Sequence, residues 1–163
     1  MGWYSNSSFM AHTHPLSIRL EFTSAFDMLD VLEVVTGHAC KQVGLDEDSV
    51  HWVSVAVRES VANAIKHGNR NDAAKKVFVG FDGTFGAVPE LAISVRDQGA
   101  GFDPEDVADP LAPENLLKGS GRGIFLIRSF MDEMCLQRAP EGGMEMRMVK
   151  RAQPASASDG PAA

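Results

Sequence analysis

Three short clusters combine residue types that can do chemistry. In Glu59-Ser-Val-Ala-Asn63-Ala-Ile-Lys-His67-Gly68, Glu59 and Asn63 stand four residues apart. On a helix they share a face, and His67 follows on the same stripe. Val57, Val61, Ala64 and Ile65 around them are apolar, so the polar pair borders a core face. A carboxylate there can serve as a general base. The hard amide oxygen of Asn suits Mg²⁺, which takes few protein ligands and leaves its other positions to water and phosphate. Two solvated surface residues would give the same spacing. The second cluster is Asp97-Gln-Gly99-Ala-Gly101-Phe102, after an alternating apolar run. Asp97 at a strand end can accept a hydrogen bond from a ligand's exocyclic amine, with Gly99 and Gly101 at positive φ in a tight turn; a turn with an Asx bond to its own backbone reads the same way. Third comes Gly119-Ser120-Gly121-Arg122-Gly123-Ile124 ahead of an apolar helical pattern. Such glycines let backbone approach an anion, and a helix N-terminus offers free N–H groups and the positive end of its dipole. The alternative is a Gly-rich hinge. A dinucleotide fingerprint would need Gly at 124 and a strand directly before the cluster.

These clusters must be carried by regular elements. Ile18, Leu20 and Phe22 alternate with polar residues, which predicts a half-buried strand. Ser24 is placed to cap a helix over about 25–43, ended by Gly44. A second helix begins after Asp46 or Asp48 and runs to His67, with Gly68 as its stop. Val77, Val79 and Phe81 mark a strand, and Leu91, Ile93 and Val95 mark another that ends at Asp97. Residues 103–118 carry three prolines and read as an irregular loop. The third helix runs from the Gly cluster through about Met134, and Cys135–Arg138 with Met144–Lys150 form a closing hairpin. The order β-α-α-β-β-α-β-β predicts an α+β two-layer sandwich, a mixed sheet covered by about three helices on one face. Trp52 is expected in core or interface, and Met144, Met146 and Met148 on the core face of the last strand.

Length fits one domain over 15–151, with a flexible N-terminus over 1–14 and a disordered tail over 152–163 of small residues and proline. Of the 163 residues, 15 are Lys or Arg and 22 are Asp or Glu, a net charge of −7. That balance argues against a nucleic-acid or anionic-membrane partner held by bulk electrostatics. No apolar run approaches the ~18 residues of a membrane span, and the N-terminus lacks signal-peptide character. Cys40 and Cys135 read as reduced thiols, not a disulfide framework. A cytoplasmic domain is the expectation.

Taken together and in order, the three clusters resemble the N, G1 and G2 boxes of the GHKL (Bergerat-fold) ATP-binding superfamily. Within it the chain is most similar to the small anti-sigma-factor serine/threonine kinases of the RsbW and SpoIIAB type. The Glu-x-x-x-Asn-Ala-x-x-His-Gly form of the N box, the Gly-Arg-Gly start of the last helix and Phe130-Met131-Asp132-Glu133 within that helix carry this likeness, which covers about 16–150. The resemblance implies ATP and Mg²⁺ as cofactors. Asn63 would hold the metal, Asp97 would accept from the adenine amino group, and Gly99 and Gly101 would let the base lie close. Gly119, Gly121 and Gly123 would wrap the triphosphate beneath a lid formed by 103–118. Glu59 would be the catalytic base. His67, Phe102, Ser120, Arg122 and Ile124 fall in the implied nucleotide-binding segments; Arg122 faces either phosphate or a protein partner. The family usually carries Gly-Thr on the final hairpin, where this chain has Gly142-Gly143-Met144. Implied partners are a sigma factor and an anti-anti-sigma antagonist of STAS type, with the kinase acting as a homodimer. A non-catalytic ATP-binding partner-switching module and a histidine-kinase-type catalytic domain acting in trans are the alternative functions.

Overall fold

The computed structural model describes residues 15–103 and 119–154, excepting the side chains of 119–121. The expected flexible N-terminus, nearly all of the expected lid and most of the expected tail lie outside the described residues.

Five strands form one sheet: β1 (Leu16–Thr23), β2 (Lys76–Thr84), β3 (Glu90–Arg96), β4 (Glu133–Arg138) and β5 (Met144–Arg151). Their spatial order is β1-β2-β3-β5-β4. A mixed sheet is expected from the sequence; every pairing is instead antiparallel. The helical crossover does return β4 in the direction of β3, but β5 folds back between them, so the two never become hydrogen-bonded neighbours. Among the described residues, three helices, α1 (Leu29–Val43), α2 (Glu47–Asn63) and α3 (Gly119–Phe130), complete the α+β sandwich.

The alternation read from the sequence holds where the sheet meets the helices. Val77, Val79 and Phe81 of β2, Leu91, Ile93 and Val95 of β3, and Met144, Met146 and Met148 of β5 are all buried. All but Met144, which lies at Asp97 and Phe102, pack with Leu32, Ala39, Cys40 and Val43 of α1 and Val53, Val57 and Val61 of α2. Burying each large apolar side chain contributes about 1.5–3 kcal/mol, far more than the tenths of a kcal/mol by which helix propensities differ. Packing therefore fixes these helices, and the other sheet face is left to polar pairs such as Arg19 with Asp82. Trp52 of α2 stacks on Phe130, ring centroids 3.6 Å apart, and ties α2 to the C-terminal end of α3.

Several boundaries differ from expectation. Ser24 caps no helix: its hydroxyl accepts from Asn69 Nδ2 at 3.3 Å, and a 3₁₀ turn, Phe26–Met28, leads into α1. Asp46 is the cap of α2, accepting from the Ser49 N–H at 2.7 Å; that hydrogen bond holds its carboxyl below its usual range. The α-helical part of α2 stops at Asn63, and Ala64–Gly68 continue as a π turn. The wider turn buries Ala64 and Ile65 while leaving Lys66 and His67 exposed, and such turns recur at functional sites. α3 ends at Phe130, not near Met134. Met131 is buried and Glu133 already begins β4, because Asp132 N–H donates to Val149 O at 2.9 Å and draws the chain into the sheet.

Candidate functional site

The two chemical ends of the site are built by different contacts. At one end α3 lies against the polar face of α2. Gly123 is buried, and a Cβ placed there would fall 2.7 Å from Glu59 Oε2 and 3.5 Å from Asn63 Nδ2. Glycine here leaves the Glu59 carboxylate room to lie against α3. Glu59 and Asn63 are half-buried, as expected for a pair bordering the core. The N-terminus of α3 at Gly119 lies one turn before Gly123, about 6 Å along the axis. Its free N–H groups therefore open near a carboxylate and a side-chain amide. Arg122 is exposed and Ile124 half-buried.

At the other end is Asp97, 5% exposed, just beyond β3. Its Oδ1 accepts from Gly99 N–H at 2.8 Å and Met144 N–H at 3.1 Å, and its own N–H donates to Met144 O at 3.0 Å. Among the described residues no hydrogen bond falls on Oδ2. That oxygen faces Gly68, where a Cβ would lie 2.1 Å away. A Cβ on residue 99 would lie 2.2 Å from Gly68 O, and one on residue 143 would lie 2.1 Å from Asp97 O. Three glycines thus let the chain pack closely around one carboxylate. Gly101 has the expected positive φ, +69°. Gly99 does not, and it is required for close approach instead.

The Asx bond read from the sequence is present: Oδ1 closes the turn, and Oδ2 takes no hydrogen bond among the described residues. Phe102 is 40% exposed, and its N–H donates to Met144 Sδ at 3.4 Å. Met144 occupies the hairpin position where a Thr hydroxyl is usual by resemblance; here its backbone N–H holds Asp97 and its thioether holds the loop. His67 sits exposed in the π turn, past the helix stripe that carries Glu59 and Asn63. Sequence reading missed Asn69, fully buried just after the N box. A polar residue at that point of the motif was the available signal. It also missed Arg138, whose Nη1 donates to Ala100 O at 3.4 Å beside Gly101.

Residues 23–150 match the histidine kinase-like ATPase domain. The chain belongs to that family. Among proteins similar to this histidine kinase-like ATPase are serine-protein kinase RsbW of Staphylococcus epidermidis, 27% identical over 143 residues that cover 82% of this chain and 85% of that protein. The anti-sigma F factor of Oceanobacillus iheyensis is 30% identical over 136 residues, 81% of this chain and 90% of its own. That of Bacillus subtilis is 28% identical over 137 residues, covering 82% and 90%. In this family member, no helix among the described residues is long and apolar enough to cross a membrane.

Proposed function

We propose that this histidine kinase-like ATPase is a protein serine/threonine kinase that acts as an anti-sigma regulatory factor. It binds a sigma factor, and it transfers the γ-phosphoryl group of ATP to a Ser or Thr of an anti-anti-sigma antagonist. Its setting is the cytoplasm and its working form a homodimer. The observation that carries the reading is the seating of Gly123 against Glu59 and Asn63, which brings a carboxylate, an amide and a helix N-terminus together. The kinase and anti-sigma names of relatives along most of the chain support it.

The parts have separate tasks. Asp97 Oδ2 accepts from the adenine amino group, and Gly68, Gly99 and Gly143 let the backbone pack closely enough to hold that carboxylate in place. The N-terminal N–H groups of α3 meet the phosphates. Asn63 offers its side-chain oxygen to Mg²⁺. Among the described residues no group of three or more His, Cys, Asp or Glu side chains is arranged to hold a metal, so a single amide with phosphate and water suits Mg²⁺ better than a metal that needs a full protein ligand set. When bound, that ion supplies neutralising charge to the phosphates. Glu59 orients the acceptor hydroxyl and receives its proton as the bond to phosphorus forms and the bond to ADP breaks.

Transfer from [γ-³²P]ATP to antagonists encoded in the same genome tests the reading. Acid-stable label on the antagonist is the expected result. Acid-labile label points to a histidine-kinase-type activity. A second reading, an ATP-binding module without transfer, is favoured by Met144 where the family carries a hydroxyl; it predicts nucleotide-dependent partner binding with no label transferred.

A further inference from the structure

Asn69 joins three separate segments of chain beneath the Asp97 carboxylate. It is wholly buried, and its own N–H closes the π turn on Ala64 O at 2.7 Å. Its Nδ2 donates to Lys76 O at 2.9 Å, where β2 starts, and to Ser24 Oγ at 3.3 Å, just past β1. Its Oδ1 accepts from Gln98 N–H at 2.8 Å. The Gln98 side chain answers by accepting from Lys76 N–H at 2.7 Å. A loop of hydrogen bonds therefore runs from Asn69 to Gln98 to Lys76 and back. The task needs two donor hydrogens and an acceptor on one short side chain, which is the carboxamide.

What this loop fixes is the backbone at 98, next to Asp97. The peptide between them sits in a narrow slot: Gly68 O presses on Gly99 from one side and Gly143 presses on Asp97 from the other. Oδ1 is already committed to Gly99 and Met144. The direction of Oδ2 then follows from where the 97–99 backbone is held, and Asn69 holds it from the helix side. Without its acceptor, the part-buried Gln98 N–H would lose its partner, and the turn would be free to shift.

We propose that Asn69 is a positioning residue for base selection, aiming Asp97 Oδ2 at the exocyclic amine of the nucleotide. This rests on the reading of Asp97 as the base acceptor, and the experiment separates the two. The probe is the ratio of affinities for ATP and inosine triphosphate, whose base carries a carbonyl in place of the amine. The Asp97→Asn variant should bring that ratio close to one. Asn69→Ala should lower it about tenfold, the scale of one charge-assisted hydrogen bond, while inosine triphosphate binds within about twofold of wild type. In turnover, KM for ATP should rise and kcat at saturation should hold. Ser24→Ala, which removes only the arm toward β1, should lower the melting temperature and keep the ratio.

Equal loss of both nucleotides in Asn69→Ala, or an unchanged ratio there alongside a collapsed ratio in Asp97→Asn, overturns the proposal for Asn69 alone. An unchanged ratio in Asp97→Asn overturns the base-acceptor reading and this inference with it. Should Asn69→Ala not fold, the exposed Gln98→Ala variant, which removes the second strap on the same backbone, decides instead. A lowered ratio supports the proposal and a wild-type ratio overturns it.

Discussion

The carboxylate of Asp97 has one oxygen spent on the protein and one left over, so a change of charge at constant shape isolates the second. Asp97→Asn keeps an acceptor for Gly99 and Met144 but can turn an NH₂ group toward a ligand amine. Two donors then face each other, and the unpaired buried group costs about 1–3 kcal/mol. Titration calorimetry should show that loss for ATP with little change in melting temperature, together with reduced discrimination against GTP. Glu59 and Asn63 share a face yet should fail differently. Asn63→Ala should weaken Mg²⁺–ATP binding. Glu59→Gln should bind ATP normally and slow single-turnover transfer about 10²–10⁴-fold, toward the lower end because a loose phosphoryl-transfer transition state asks little of its base. The thiols offer a check on packing. Burial pushes Cys40 up to about 12, so it stays protonated at neutral pH, whereas Cys135 is exposed. An alkylating reagent at pH 8 should modify Cys135 quickly and reach Cys40 only at the rate of unfolding, which mass spectrometry of the labelled chain reads directly.

At the scale of elements, two glycines separate packing from catalysis. Gly123→Ala puts a methyl against the far end of the flexible Glu59 side chain. Glu59 can swing away, and alanine favours the helix by up to about 1 kcal/mol. The melting temperature should hold or rise while phosphoryl transfer falls. Gly143 has φ +83°, and a Cβ there would meet the Asp97 backbone. Nothing flexible can yield, so Gly143→Ala should lower the melting temperature and ATP affinity together. Thermal denaturation beside a transfer assay distinguishes these patterns. The same contrast explains what was legible from sequence. The strand alternation of β2, β3 and β5 was, because period-two burial is written in residue type. The three polar clusters were, because their spacing is local. The π turn was not: Ala64, Ile65 and His67 continue a helical pattern, and the bond that widens the turn, Asn69 N–H to Ala64 O, leaves no mark in residue type. Ser24 looked like a cap because Ser favours that position, yet a partner 45 residues away claims its hydroxyl. The end of α3 was misread for a similar reason, since Asp132 is taken by the sheet.

For the whole molecule, the edge of the fold is set by backbone pairing and not by composition. Ala152 is buried, and its N–H donates to Pro89 O at 2.8 Å. A chain cut after Pro154 should melt within a few degrees of full length and bind ATP equally, because residues 155–163 carry too little apolar surface to offset their ordering. A cut after Arg151 removes that clasp and should melt lower. Differential scanning calorimetry of the two truncations compares them. The insertion of β5 between β3 and β4 has a consequence for the order in which the protein is made. The Asp97 carboxylate is held by Met144, which emerges from the ribosome 47 residues later. Until then β3 has an open edge and the turn that follows it has no ceiling. The nascent chain can assemble α1, α2 and the first three strands, but it cannot shape the pocket until its last strand threads into the gap. Competence to hold a nucleotide therefore waits on β5.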